Sequence, residues 1–170
     1  MKLLATLTSG VEKKGPDSDN TLRPRTAVRI VLFNDRKQIA LLRSSKGNHL
    51  KLPGGGVENG ESLMQALHRE VSEEVGFTCE IMVEVGYIHE YRWDEKLDQI
   101  SYCYIGHILR DLGQRALTDE EIRHGHDLDW LTPDEAITQM ESFKSDDLTH
   151  VIMTNRDKLF ISTSQTLISV

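Results

Sequence analysis

The chain has 170 residues, 38% hydrophobic and 28% charged, with 20 Lys and Arg against 27 Asp and Glu and a formal net charge of −7. That length suits one domain with a sizeable core. The acidic balance argues against a surface built to hold a nucleic-acid backbone.

Residues 1–24 read as a short strand or arm followed by a mobile loop, rich in Gly, Lys, Asp and Ser over 9–20. The opening apolar run is too short to span a membrane and has no signal-peptide pattern, so a cytoplasmic protein with no membrane partner is expected. Residues 25–33 (RTAVRIVLF) form a strand, 34–37 a turn and 38–43 the returning strand of a hairpin. Residues 44–48 make a polar loop, and 49–52 a short strand that enters Pro53-Gly54-Gly55-Gly56. A helix is predicted over 61–75, capped by Glu61 or Ser62 and ended by Gly76. Long strands follow over 79–93, with Gly86 as a bend or bulge, and over 99–109, paired antiparallel across a turn at 94–96. Residues 110–115 are a loop, 117–126 a loop or short helical turn, and 127–131 a short strand containing Trp130. Thr132 caps a helix with Pro133 in its first position, running to 141, and Ser145 or Asp146 opens a last helix to about 160. No internal repeat or second boundary interrupts the chain, so residues 1–170 make a single domain. Cys79 and Cys103 have no metal spacing and are expected to be reduced core residues.

The helix over 61–75 carries an anomaly. At about 100° per residue, Leu63, Leu67 and Val71 fall along one side, and Glu70 and Glu74 fall within the same apolar arc, with Glu73 at its edge. Ionised carboxylates are seldom buried without partners. Two of them one turn apart, at about 5–6 Å between Cβ atoms, are close enough to share a cation. A solvated charged face is the plain alternative, and Arg69 on the flank can neutralise one glutamate but not three. The glycine turn favours the other reading, because it lets backbone N–H and C=O groups approach a ligand. An oxygen-lined site for a hard cation, Mg²⁺ or Mn²⁺, is expected.

Gly55, Glu61, Arg69, Glu70, Val71, Glu73, Glu74, Gly76 and Phe77 stand at the spacing G-x5-E-x7-R-E-U-x-E-E-x-G-U, in which U is a bulky apolar residue. In this the chain resembles the Nudix hydrolase family, whose Nudix box it reproduces without departure. The resemblance implies an α/β/α sandwich with a mixed central sheet. It also implies metal-dependent hydrolysis of a nucleoside diphosphate linked to another group, with a small-molecule nucleotide as substrate. By that likeness Glu70 and Glu74 are the main metal ligands, Glu73 lies close by, the Gly54 carbonyl is an extra ligand, and Arg69 with Glu61 props the helix against its loop.

The reaction so implied is in-line attack of water on phosphorus, with a box glutamate or a distant carboxylate as base. Glu120 and Glu121 are the candidates for that distant carboxylate, weighed against a solvated acidic turn. Arg43 and Lys51 are candidate phosphate ligands beside Gly55 and Gly56, weighed against exposed strand-end charges. Arg25 and Arg29 alternate on one strand face, which would make that face basic. Tyr87, His89, Tyr91 and Trp93 share one strand face, either as a stacking surface for a base or as core. His124 and His126 have poor chelate spacing. The (deoxy)nucleoside triphosphates, ordinary or oxidised, are the leading substrate class. No proline stands where the ADP-ribose branch of the family carries one, the nearest later one being Pro133. RNA cap removal is disfavoured by the acidic balance. The alternative from another class is a non-catalytic nucleotide-sensing domain, which would be expected to lose box carboxylates. Homodimerisation through the amino-terminal arm is a further expectation.

Overall fold

In the computed structural model residues 1–11, 21–44, 49–117 and 126–168 are described. The run over 25–33 becomes strand β2 (Arg23–Phe33), whose inner residues 27–32 are all buried. A strand reads as continuously apolar when both faces of its sheet are covered, and here they are. Val28, Ile30 and Leu32 meet Ala66, Leu67 and Val71 of the box helix on one face. Val31 joins Cys103, Ile105, Met140, Phe160 and Ile161 on the other.

The remaining strands are β1 (Leu3–Ser9), β3 (Ile39–Ser44), β4 (Leu50–Lys51), β5 (Phe77–Arg92), β6 (Leu97–Asp111) and β7 (His126–Leu131). They form one mixed sheet in the order β1-β5-β6-β2-β3-β4, with β7 on β3. β5 and β6 run antiparallel as expected, with a register break at Gly86, whose φ is 148°. β2 lies parallel to β6, and β1 parallel to β5. The amino terminus is therefore a strand taken up by its own chain. Helix α1 (Leu63–Glu70), continued by a π-helical turn (Val71–Val75), covers one face. Helices α2 (Pro133–Ser142) and α3 (Leu148–Ile168) cover the other. The α/β/α sandwich expected from the sequence is the observed architecture. No helix among the described residues is long and apolar enough to cross a membrane. Both cysteines are free and buried.

The caps read from the sequence are in place. Ser62 accepts from the Gln65 N–H while Gln65 returns a bond to the Ser62 N–H, and Thr132 and Glu135 do the same for α2. The last helix differs from expectation at both ends. Asp147 accepts the Thr149 N–H at 2.8 Å, so α3 starts at Leu148. No Gly or Pro follows Phe160 to stop it, so the helix runs on to Ile168, where the hydroxyls of Ser162, Thr163, Ser164 and Thr166 are satisfied by carbonyls four residues earlier. The expected loops at 12–20 and 118–125 lie outside the described residues.

Leu67 is fully buried between α1 and β2 and fixes the helix that bears the glutamates. Leu67→Ala should destabilise the protein by about 2–5 kcal/mol, read as a lower urea midpoint at unchanged m-value.

Candidate active site

The hairpin of β2 and β3 splays at once. Phe33 and Ile39 pair, and Asn34 N–H donates to the Gln38 carbonyl at 2.9 Å, but the strands then part. The glycine turn fills the vacated edge of β2. Ile30 N–H donates to the Pro53 carbonyl at 3.1 Å, Val28 N–H to the Gly55 carbonyl at 2.9 Å, and Val57 N–H to the Thr26 carbonyl at 2.9 Å. Two glycines are required here. Gly54 has φ +131°, and a Cβ on it would run into the Val28 carbonyl, while a Cβ on Gly55 would run into the Glu70 carboxylate.

Both helix carboxylates of the apolar arc point inward: Glu70 is 8% exposed and Glu74 2%. Glu74 Oε2 accepts the Gly54 N–H at 2.6 Å, and its Oε1 lies 3.3 Å from Lys51 Nζ. Burial nevertheless dominates and pushes the Glu74 carboxyl up to about 7, and burial raises Glu70 as well. Arg69 is the brace. Its Nε and Nη2 hold the two oxygens of Glu61 at 3.0 and 3.1 Å, and Nη2 also donates to the Gly56 carbonyl at 3.0 Å. Its Nη1 reaches Glu70 at 2.8 Å and Glu73 at 3.2 Å. Hydrogen bonds to Glu61 raise the Arg69 pKa further. The box helix is thus tied to both ends of the glycine turn, through Glu74 at Gly54 and through Arg69 at Gly56. Its last turn is π-helical, with Gly76 N–H donating to the Val71 carbonyl five residues back at 3.1 Å, a distortion common beside functional sites.

Among the described residues no three His, Cys, Asp or Glu side chains are arranged to hold a metal. Mg²⁺ does not require such a cage: it takes one or two carboxylates and retains several waters. Glu70 and Glu74, hard oxygen donors whose ionised forms are penalised by burial, fit a small divalent cation by their chemistry.

The structure brings Lys51, Gly54, Gly55, Gly56, Arg69, Glu70, Glu73 and Glu74 together. It places Arg43 elsewhere: Nε donates to Asp129 at 2.6 Å and Nη2 to Gln139 at 2.8 Å, because β3 pairs with β7 and lies under α2. The expectation that Arg43 points to the glycine turn is corrected accordingly. Glu120, Glu121 and His124 lie outside the described residues. Tyr87, His89, Tyr91 and Trp93 are half-buried on one face, with His89 and Tyr91 rings 4.3 Å apart and Tyr91 and Trp93 stacked at 6.4 Å.

Sequence reasoning missed a buried polar cluster on the opposite face, at the same end of the sheet. Arg29 is 6% exposed, and burial together with the nearby Arg156 lowers its pKa to about 10. Glu90 binds Arg92 at 2.6 Å, Ser101 at 2.6 Å and Gln99 at 2.9 Å, and Arg156 sits 3.4 Å from it. Burial alone would raise Glu90, but Arg156 and Arg92 outweigh it and draw its pKa down to about 2. The signal was available: Glu90 and Arg92 alternate with the core residue Ile88, so all three share one face.

A three-layer sandwich in which one outer helix turns two carboxylates onto a glycine turn defines a candidate metal-assisted phosphate site. The NUDIX domain profile matches residues 23–151, and the chain belongs to that family. The RNA pyrophosphohydrolase of Ruthia magnifica subsp. Calyptogena magnifica is 43% identical over 56 residues, 33% of this chain and 31% of that protein. A putative 8-oxo-dGTP diphosphatase of Bacillus subtilis is 27% identical over 104 residues, 61% of this chain and 64% of that protein. The chain thus spans less than two thirds of the length of either curated relative. Among solved structures, the MutT protein from Methanosarcina mazei matches with a TM-score of 0.61 at 20% identity, covering 86% of this chain and 96% of that one. A NUDIX hydrolase from Nitrosomonas europaea matches at 0.58 and 24% identity, covering 78% and 88%. These two likenesses show the fold.

Glu74 titrates near 7 in the folded protein against 4.5 ordinarily. Between those values the folded protein keeps a proton that the unfolded chain has released, so metal-free stability falls as pH rises from about 4.5 to 7 and levels off above. A divalent cation competes with that proton. Mn²⁺ affinity should rise by up to about tenfold per pH unit below pH 7 and level off above it. Glu74→Gln should flatten both profiles, measured as melting temperature without metal and by titration calorimetry with Mn²⁺.

Proposed function

We propose that the protein is a divalent-metal-dependent pyrophosphohydrolase that cleaves a phosphoric anhydride bond of a small nucleotide. The leading substrates are ordinary or oxidised (deoxy)nucleoside triphosphates, and nucleoside diphosphates linked to another group come next. The observation that carries this reading is the pair Glu70 and Glu74, buried on one helix face against a glycine turn. A Mg²⁺ or Mn²⁺ ion bound there neutralises phosphate charge and lowers the pKa of a water.

The chain's own groups do the rest. Glu70 and Glu74 would hold the ion, with the Gly54 carbonyl as a further ligand. Gly55 and Gly56 leave room for the phosphate chain to approach the backbone. Lys51, paired with Glu74, would be placed to turn to a phosphate oxygen. Arg69 keeps the helix in register with the turn. Water attacks phosphorus, the bridging P–O bond breaks, and a carboxylate takes the water proton. Glu73, whose side chain is 36% exposed, is one candidate base, and Glu120 or Glu121 supplies the alternative. The two free, buried cysteines suit a reducing compartment, and we place the protein in the cytoplasm.

A second reading follows from the likeness to an RNA pyrophosphohydrolase: the nucleotide acted on is the 5′-triphosphate end of an RNA. The net charge of −7 makes a long phosphate backbone a poor partner, so this reading ranks second.

Purified protein with Mg²⁺ should release phosphate or pyrophosphate from at least one of four substrates: a dNTP, 8-oxo-dGTP, a nucleoside diphosphate sugar, and a 5′-triphosphorylated RNA. On the best of them Glu74→Gln should cut kcat by about a hundredfold or more. Turnover of none of the four would favour a non-catalytic binding domain, and an unchanged rate in Glu74→Gln would sink the metal-ligand assignment.

A further inference from the structure

The glycine turn is held from a direction that the box does not supply. Strand β4 ends at Lys51, and Leu52, fully buried, is the next residue. A buried N–H must find an acceptor. That of Leu52 finds the Asp157 carboxylate of α3, 105 residues away, at 3.0 Å. Pro53 has no N–H to give. The next donor along the chain is Gly54, and it donates to Glu74. Two consecutive available donors are thus gripped by two buried carboxylates, one from each helical layer. Asp157 is fully buried, and its other oxygen is held by Arg156 Nε at 2.7 Å. Arg156 is itself fully buried and reaches Glu90 on β5. The grip is therefore anchored in both α3 and the sheet.

A buried ion pair adds little net stability to a fold. Its geometric effect is larger: the chain between Leu52 and Gly54 is short and contains a ring-locked proline, so fixing Leu52 fixes where the Gly54 N–H points. Asp157 also lies beyond residues 23–151, the span shared with the family profile. We propose that Asp157 is a positioning residue for the metal site: by holding the Leu52 N–H, it sets the backbone from which Gly54 orients the Glu74 carboxylate. This rests on the reading of Glu74 as a metal ligand.

The test compares Asp157→Ala, Asp157→Asn, Glu74→Gln and Phe160→Leu in the full chain. Phe160 is a fully buried α3 residue in the same core cluster as Leu52, so its truncation loosens the packing there while keeping the Asp157 carboxylate that accepts the Leu52 N–H. Melting temperature, Mn²⁺ affinity by titration calorimetry, and kcat and KM are measured for each. Asp157→Ala and Phe160→Leu should both melt earlier. Only Asp157→Ala should also weaken Mn²⁺ binding by about tenfold or more, the range for partners that orient a metal ligand, and lower kcat similarly with little change in KM. Asp157→Asn keeps an acceptor oxygen and should fall between parent and alanine variant. Parent-like Mn²⁺ affinity in Asp157→Ala, or an equal loss in Phe160→Leu, overturns the proposal. Should the alanine variant not fold, the asparagine variant decides: affinity weakened about threefold or more supports the proposal, and unchanged affinity overturns it. If Glu74→Gln weakens Mn²⁺ binding and the Asp157 variants do not, this proposal alone fails. If Glu74→Gln leaves the affinity unchanged, the metal reading fails and takes this proposal with it.

Discussion

The desolvation of Glu74 is the constraint around which the rest is arranged. An ionised carboxylate at 2% exposure is tolerable only with several compensations at once, and the surroundings supply two: the Gly54 N–H and the Lys51 ammonium. Neither cancels the burial, since its pKa still rises to about 7. A fold that simply needed helix α1 to pack would place leucine there. The retained carboxylate therefore carries a standing electrostatic deficit, which a small divalent cation removes most directly. Glu70 repeats the pattern one turn earlier, relieved in part by Arg69.

Sheet topology gives this deficit its place. Because β2 and β3 part after one pair, β2 has an unsatisfied edge in the middle of the sheet. The glycine turn satisfies it with three backbone bonds and so is fixed as firmly as a strand while keeping a loop's conformation. Catalytic loops are usually more mobile than the scaffold that carries them. Here the turn is pinned on one side by β2, on another by Arg69 from α1 and Glu74 from its π-helical continuation, and at its entrance by Asp157 from α3. Precision at the glutamates thus comes from the scaffold and does not depend on the loop's own stiffness.

Much of this was legible in the sequence, for reasons that differ by residue. The inward direction of Glu70 and Glu74 follows from helical periodicity, which is local. The Glu61 and Arg69 pair followed from the family resemblance, and the bidentate geometry agrees with it. The strands and the helix caps rest on local propensity as well. What could not be read depends on partners distant in the chain. Arg43 was expected at the turn because β3 leads toward it. Its neighbours are in fact Asp129 and Gln139, set by a β3–β7 pairing that no local pattern announces. The far end of α3 was not legible because Ser and Thr, which crowd residues 162–166, have weak helix propensity, yet here their hydroxyls are satisfied inside the helix.

The buried polar cluster on the far face explains how an acidic chain assembles such a site without unfolding its own core. Arg156 and Arg92 hold the Glu90 carboxyl well below its ordinary pKa, Asp157 accepts from Arg156, and Arg29 extends the positive field toward Glu70 and Glu74 through the sheet. The two faces are electrostatically linked: Arg29 lowers the proton affinity of both box glutamates, while Arg156 and burial weaken Arg29's own hold on its proton. The same helix, α3, touches the glycine turn directly, Asp157 accepting the Leu52 N–H. That helix is in this sense part of the frame of the candidate site, although none of its side chains bonds a box glutamate among the described residues.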